Sequence, residues 1–505
     1  MWSNIKAKGN NMKENLGIYV SFFTYAFVIL GIGLYFCWKT KNNMSSFFLG
    51  ERQMNPWVTA LSAQASDMSA WLFMSLPGAA CLFGYQALWI AVGLAIGTYL
   101  NWKIVARRLR SFSYCFGDAI TVPEYLQHRF QTTSPAIRLI CSSIILVFFL
   151  LYVASGFSAE AKLFEELFGM SYRPALFLGA FIIVFYTFFG GFLAVSWTDF
   201  YQSILMFFAL LIVPIMVFFQ LTGADVASLF EANFVKETLF STQDGHTWGG
   251  IISGLGWGLG YFGMPHILVR FMAIRSASEV RRSRIIALVW VYLTLFAALA
   301  IGLLGQIYLS QQGIIYENQA AAERIFMRLS TMLFNPWLAG VLFSAILAAI
   351  MSTVASQLLV VGSAMVNDIY AAFTKQVSDR RAMWLSRCSV LLVTLIAIAV
   401  AWFPDSTVMG FVSYAWAGFG ATFAPVILLS LIWKRLTLRG ALSGMVVGAL
   451  GVIAWESFSL YDLTGLSAIV PCFFFASLVI VLVSLCDCAP KQSVVETFMR
   501  AKQLQ

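Results

Sequence analysis

LSAQASDMSAWLFMSLPG, residues 61–78, is an apolar stretch interrupted by polar groups, and its reading decides the fold. It lies in a segment, 57–83, that is long enough to cross a bilayer. Asp67 stands in its middle with no basic residue within a helical turn. A carboxylate at bilayer depth costs at least about 2.5–3.5 kcal/mol, so Asp67 is expected to face a polar cavity or an ion rather than lipid. Ser62, Gln64, Ser66 and Ser69 surround it. Such a cluster either binds a ligand or joins packed helices by hydrogen bonds, and the isolated carboxylate favours a ligand. Pro77 and Gly78 are expected to weaken the far end of the segment.

The rest of the chain has the same character. Of its 505 residues 60% are hydrophobic and only 11% charged, which implies a polytopic membrane protein. The net charge of +9 invites a nucleic-acid reading, but the basic residues are scattered among short loops between apolar spans. That distribution is topological. Eight cysteines and three histidines show no metal-ligand spacing, and no HExxH, GxSxG or phosphate-loop string occurs. Catalytic chemistry and cofactors are therefore not expected.

The apolar run 17–38 is too long for a signal-peptide core and reads as an uncleaved first span. Further spans are expected at 57–83, 84–106, 137–167, 173–192, 197–220, 248–269, 283–308, 336–372, 384–403, 407–433, 438–456 and 466–486. Thirteen crossings put the termini on opposite sides. Most of the 32 basic residues fall in one set of loops, among them Lys41, Arg108, Arg282, Lys375 and Arg435. The positive-inside rule makes that set cytoplasmic, with the N-terminus outside and the C-terminus inside the plasma (inner) membrane. The outer loops 223–247 and 310–335 are long, the second with an amphipathic run around Ala320–Leu333; each is either a cap over the outer face or a plain connector.

A second interrupted helix is expected in the seventh span. GGIISGLGWGLGYFGMPHILVR, from Gly249, carries seven glycines before Pro265. Each glycine weakens a helix by about 0.8–1 kcal/mol relative to alanine, although glycines also let membrane helices approach closely. The two breaks lie five spans apart, so a block at 57–220 is followed by a second at 248–433, and an odd-numbered repeat inserts inverted. That spacing points to a transporter of inverted repeats with its site at the paired breaks. The ninth span, SAILAAIMSTVASQLLV (344–360), places Ala349, Ser352 and Thr353 on one helix face. Hydroxyl and carbonyl oxygens suit sodium; back-bonding of the hydroxyls to their own helix is the equal alternative.

Together these strings resemble the sodium:solute symporter family. ALSAQASDMSAW (60–71), GGFLAVSWTD (190–199), LGWGLGYFGMPHILVRFMA (255–273), FNPWLAGVLFSAILAAIMST (334–353) and SYAWAGFG (413–420) carry the resemblance, which extends from about residue 18 to about 486. It implies an all-α, LeuT-like five-plus-five inverted repeat of about 13 helices, with one extra span before it (17–38) and two after (438–486). Sodium as the coupling ion would lie between the second and ninth spans, held by backbone oxygens of Ala65, Met68 and Ala349 and the hydroxyls of Ser352 and Thr353. Asp67 would sit on the ion pathway, with Ser69 lining the same unwound turn. The organic substrate would meet Trp257, Tyr261 and Pro265, with Met264 and Tyr152 beside them.

Met264 stands where the family's proline-transporting members usually carry Gln, and Glu160 adds an acid near the outer end of the fourth span, expected to be solvated. The resemblance implies sodium-driven import of a small zwitterion, proline foremost, with another small amino acid or organic solute as the alternative. From other classes, an intramembrane aspartate enzyme would need a second intramembrane acid. Asp199, the nearest candidate, is expected to cap or pair locally. A sensory module would need an attached signalling domain, and none is visible.

Overall fold

The computed structural model describes residues 2–39, 49–189, 191–231, 239, 247–374, 378–404 and 406–504. The expected basic-loop residues Lys41 and Lys375 and most of the loop 223–247 lie outside them. The described chain is all-helical, with no strand. Ten helical stretches are long and apolar enough to cross a membrane. One of them, Ala70–Cys115, turns at Gly84 (φ 58°), so that Ser75–Phe83 and Ala87–Leu100 run as separate limbs. Tyr172–Phe188 is a shorter apolar helix, and Pro56–Asp67 and Thr247–Ala273 fall short only because they are interrupted.

The bundle is built around two helices. In Pro336–Phe373, 89% of the apolar window is buried inside the protein, and in Val408–Ile432, 83%. The peripheral helices near the two ends, Leu16–Phe36 and Leu438–Ser457, bury 28% and 33%. These two face mainly lipid, which explains why they read as plain apolar runs. The central pair carries the small and hydroxyl residues, because close packing without an internal hydrophobic drive selects them. Trp2–Lys39 lies against Pro336–Ser363 and Phe192–Gln220, and Leu438–Ser457 pairs with Ile469–Cys486 against Val408–Ile432.

Both interrupted helices enter this centre. The first runs Pro56–Asp67, breaks at Met68 (φ −78°, ψ 71°) and Ser69 (φ −71°, ψ −162°), and resumes as Ala70–Phe73 and Ser75–Phe83. Pro77 follows the second, smaller interruption, at Met74 (φ −117°, ψ −63°). It falls within the first turn of the last piece, where a missing N–H costs little. The second runs Thr247–Gly256, tightens to a 3₁₀ helix over Trp257–Gly263, and restarts at Pro265 as Pro265–Ala273. Met264 is extended (ψ 107°), as the residue before a proline prefers.

The loop 310–335 folds onto the bundle as Gln319–Ala322 and Ile325–Leu333. Glu323, fully buried, holds it there. Its carboxylate pairs with Lys162 at 2.8 Å and accepts from the Ser75 hydroxyl at 3.0 Å and the Met409 N–H at 3.1 Å. Of loop 223–247 the described part includes Gly223–Ser228, capped reciprocally by Thr222 and Asp225, and Leu239, whose carbonyl accepts from Trp89 Nε1 at 3.0 Å. Glu160 corrects its expectation. It is fully buried against Gly179, not solvated, and neither carboxylate oxygen has a hydrogen-bond partner among the described residues.

Candidate functional site

The break at Met68–Ser69 rearranges backbone hydrogen bonding in a way that exposes one carbonyl. In a continuous helix the Ser69 N–H would bond to the Ala65 oxygen, but here it turns to the Asp67 oxygen at 2.9 Å. The Ala65 oxygen is left for two hydroxyls of the buried central helix, Ser352 at 2.7 Å and Thr353 at 3.2 Å. Ser352 also reaches its own helix at the Ala349 oxygen, 3.2 Å away. The two readings of that hydroxyl face therefore meet in one geometry: back-bonding within the helix and convergence on a second helix. Rotating the hydroxyl protons away leaves a compact set of oxygen lone pairs, the donor type that hard cations prefer. Met68 is the helix-ending residue one step past Asp67, its N–H bonded to the Gln64 oxygen.

Asp67 and Ser69 flank this point. The Asp67 carbonyl accepts from the Trp71 indole at 3.3 Å and the Tyr152 hydroxyl at 3.4 Å. Its carboxylate is fully buried and faces the Tyr261 hydroxyl, but neither oxygen reaches a donor at hydrogen-bonding geometry. The Tyr261 hydroxyl, Gln64 Oε1, Thr98 Oγ1 and both nitrogens of His266 are likewise buried without hydrogen-bond partners among the described residues. Buried polar atoms are nearly always satisfied in a resting core, so a concentration of unpaired ones marks where a ligand, an ion or water completes the network.

The second break supplies aromatic walls. Trp257 stacks on Trp416 with ring centroids 6.2 Å apart, and Tyr261 meets Trp416 edge-on at 5.2 Å. Trp71, from the first broken helix, approaches Trp257 at 6.5 Å. The carbonyls freed by the 3₁₀ turn find donors on neighbouring helices. Trp416 Nε1 donates to the Trp257 oxygen at 2.7 Å, and Asn101 Nδ2 to the Tyr261 oxygen at 3.0 Å. Non-helical backbone survives inside a membrane protein only with such partners. The glycines serve close approach as well: a Cβ on Gly97 would lie 2.4 Å from the Gly258 Cα. Pro265 and Met264 are fully buried at the restart, and Tyr152 packs against His266 at 6.4 Å.

Above Trp257 and Trp416 a cavity of about 630 Å³ opens to the face opposite the basic loops, lined in part by Phe83, Ser413, Trp455 and Glu456. On the other side the way is closed by a buried cluster. Arg270 Nη2 donates to Asp199 at 2.8 Å and to Ser356 at 2.5 Å, and Arg270 Nε donates to Ser62 at 2.8 Å. Asp199 thus pairs with a residue 71 positions away, not locally as its sequence position suggests. Sequence reasoning missed this cluster and the roles of Trp416, Asn101 and Glu323. Arg270 had signalled itself only as a basic residue at the end of a span.

An all-helical membrane chain whose two interrupted helices meet beside a pair of hydroxyls inside the bundle defines a secondary transporter of LeuT-like fold. The fold matches a sodium-coupled sialic acid symporter solved in a substrate-bound, outward-open state, with a TM-score of 0.79 over 94% of this chain and 99% of that one at 20% identity. The model of the sodium:solute symporter family matches residues 47–448. Curated relatives include the sodium/proline symporters of Salmonella typhimurium, 47% identical over 95% of both chains, and Escherichia coli, 46% identical over 95% of both. A high-affinity proline transporter of Bacillus subtilis is 46% identical over 92% of this chain and 97% of its own. The chain belongs to the sodium:solute symporter family.

Proposed function

We propose that the protein is a secondary active symporter that imports L-proline by alternating access, driven by sodium. It is a transporter, not an enzyme, and sodium is its coupling ion. The observation that carries the reading is the Ala65 carbonyl released by the helix break and met by Ser352 and Thr353. In this reading Ala65, Met68, Ala349, Ser352 and Thr353 hold the ion, and Asp67 and Ser69 form its approach. Proline lies against Trp257, Tyr261, Met264, Pro265 and Tyr152, an aromatic wall with polar tips that fits a small ring bearing a carboxylate and a secondary ammonium. The names of the relatives support proline.

The same reading has thirteen crossings, repeats at 57–220 and 248–433 flanked by 17–38 and 438–486, the N-terminus outside and the C-terminus in the cytoplasm. Membrane potential supplies about 2.3 kcal/mol per charge per 100 mV, or about fifty-fold accumulation per sodium ion.

Reconstitution tests it. Purified protein in liposomes should accumulate proline under an inward sodium gradient with a negative interior. Equal uptake with choline replacing sodium would remove the coupling. Failure of millimolar proline to compete for binding would leave another small solute as substrate, with Met264 the residue to examine first.

A further inference from the structure

Beyond the Ser352–Thr353 pair, the buried central helix carries polar residues on toward the basic loops. Ser356 lies one turn beyond Ser352, and Ser363 two turns further, so the three share a face. At the end of this stripe the helix widens into a π-helical turn, Ala364–Tyr370, which holds Asp368. A cavity of about 20 Å³ lies beside the stripe among mostly apolar residues, with Arg270, Ser356, Ser363, Asp368 and Thr121 as its polar lining. It has room for a single water-sized particle.

The two ends differ in charge: the upper one holds an ion pair, the lower one an acid. At the upper end the Arg270 guanidinium is drawn onto Ser356 and Asp199. At the lower end Asp368 is fully buried. Its Oδ1 accepts from the Thr121 hydroxyl at 3.0 Å, while Oδ2 has no hydrogen-bond partner among the described residues. Arg138, the nearby cation, donates to the Asn367 carbonyl at 3.2 Å and lies 3.5 Å from Glu124; it makes no ion pair with Asp368 among the described residues. A buried carboxylate oxygen with no protein donor, at a cavity the size of one small particle, is completed by a water or a cation, and the charge favours the cation.

We infer that this cavity is the passage by which sodium leaves toward the basic-loop face, with Asp368 Oδ2 as the oxygen that receives the ion and Arg270 as the plug above it. While Arg270 holds Ser356, a guanidinium bars the route to another cation. Release requires Arg270 to withdraw from Ser356, and the ion then moves down the serine stripe toward the negative end. The inference rests on the sodium-symport reading and adds to it a residue far from the paired breaks.

Asp368→Asn keeps the shape and the acceptor for Thr121 but removes the charge. In liposomes containing the full-length protein, net sodium-driven proline uptake should fall about tenfold, since a step that needs the charge is slowed. Exchange of internal for external proline, with sodium equal on both sides, requires no net ion release and should persist. The external sodium midpoint for proline binding should not move, and Asp368→Glu should restore uptake. Unchanged uptake in the Asn variant, exchange lost together with uptake, or a shifted external sodium midpoint would each overturn the inference. Absence of sodium-driven uptake in the unmodified protein would instead be a failure of the symport reading.

If the Asn variant does not bind proline, Ser363→Cys carries the test. A cationic thiol reagent applied from the basic-loop face should react several-fold faster than an anionic one of similar size, as charge steering requires. Equal rates would overturn the proposal.

Discussion

Thr353 separates the two roles a hydroxyl can have inside a membrane helix. Its Oγ1 lies 3.2 Å from the Ala65 carbonyl, across the interface between two helices. As a ligand, its oxygen contributes about 1.5–3 kcal/mol, so its loss should weaken sodium affinity by about ten- to a hundred-fold. Thr353→Val deletes the oxygen and keeps the shape; Thr353→Ser keeps the oxygen and deletes a methyl group. Proline binding over a sodium titration should show Ser tolerated and Val damaging, with the Val variant recovering at high sodium through linkage. The reverse order would assign Thr353 to packing.

The Arg270–Asp199 pair poses a different question at the same scale. Asp199→Ala leaves a buried guanidinium facing only hydroxyls and the His266 carbonyl. Breaking a buried pair in this way costs about 3–5 kcal/mol, so thermal unfolding in detergent should shift downward markedly. Replacing both partners, Asp199→Leu with Arg270→Met, should recover much of that loss, because no uncompensated charge remains. A double variant as unstable as the single one would refute this account.

At the scale of elements, the sequence told most where a helix had to fail. The glycines before Pro265 and the polar cluster around Asp67 both lie at interruptions, because weak helix propensity and unpaired polar groups are local properties that a sequence carries openly. The breaking residues were harder to place. Pro77 accompanies only the smaller break, at Met74, while the larger one falls at Met68 and Ser69, with no proline near. Met68 looks like a helix former and ends the helix, because its conformation is set by what surrounds it. Long-range pairings were invisible for the same reason: nothing near Asp199 or Glu323 announces Arg270 or Lys162.

The contact between the third span and the 3₁₀ turn gives an element-scale prediction. A methyl group on Gly97 would meet the Gly258 carbonyl oxygen at 2.3 Å, and that backbone cannot yield without moving Trp257 and Tyr261. Gly97→Ala should therefore raise the half-saturating proline concentration by about tenfold, the size expected when overpacking costs 1–3 kcal/mol. The sodium midpoint, set on another pair of helices, should change much less. Equal damage to both would mean that the substitution disturbs the bundle as a whole.

The whole molecule is asymmetric along its length. A cavity of about 630 Å³ reaches from one face to Trp257 and Trp416, while the space beside the Arg270 cluster, on its way toward the basic loops, is about 20 Å³. A transporter must be able to reverse that asymmetry, and its ligands can do so only by binding the two arrangements with different affinity. Cysteines placed at Ser413, in the large cavity, and at Ser363, in the small one, should report the exchange in protein whose native cysteines are replaced by serine. Without substrate, a membrane-impermeant thiol reagent outside the cell should modify Ser413→Cys quickly, and the same reagent inside should modify Ser363→Cys slowly. Sodium with proline should slow the first reaction and speed the second. A ligand that binds one arrangement about a hundred-fold more tightly moves a ten-to-one population to one-to-ten, which a rate measurement resolves easily. Sodium alone should leave the outer site reactive, since it completes the oxygen cluster without filling the aromatic wall. If proline changed neither rate, the large cavity would be a fixed surface feature and the Arg270 cluster a structural tie. Opposite changes at the two cysteines, appearing only with sodium present, would identify the two cavities as alternating ends of one pathway.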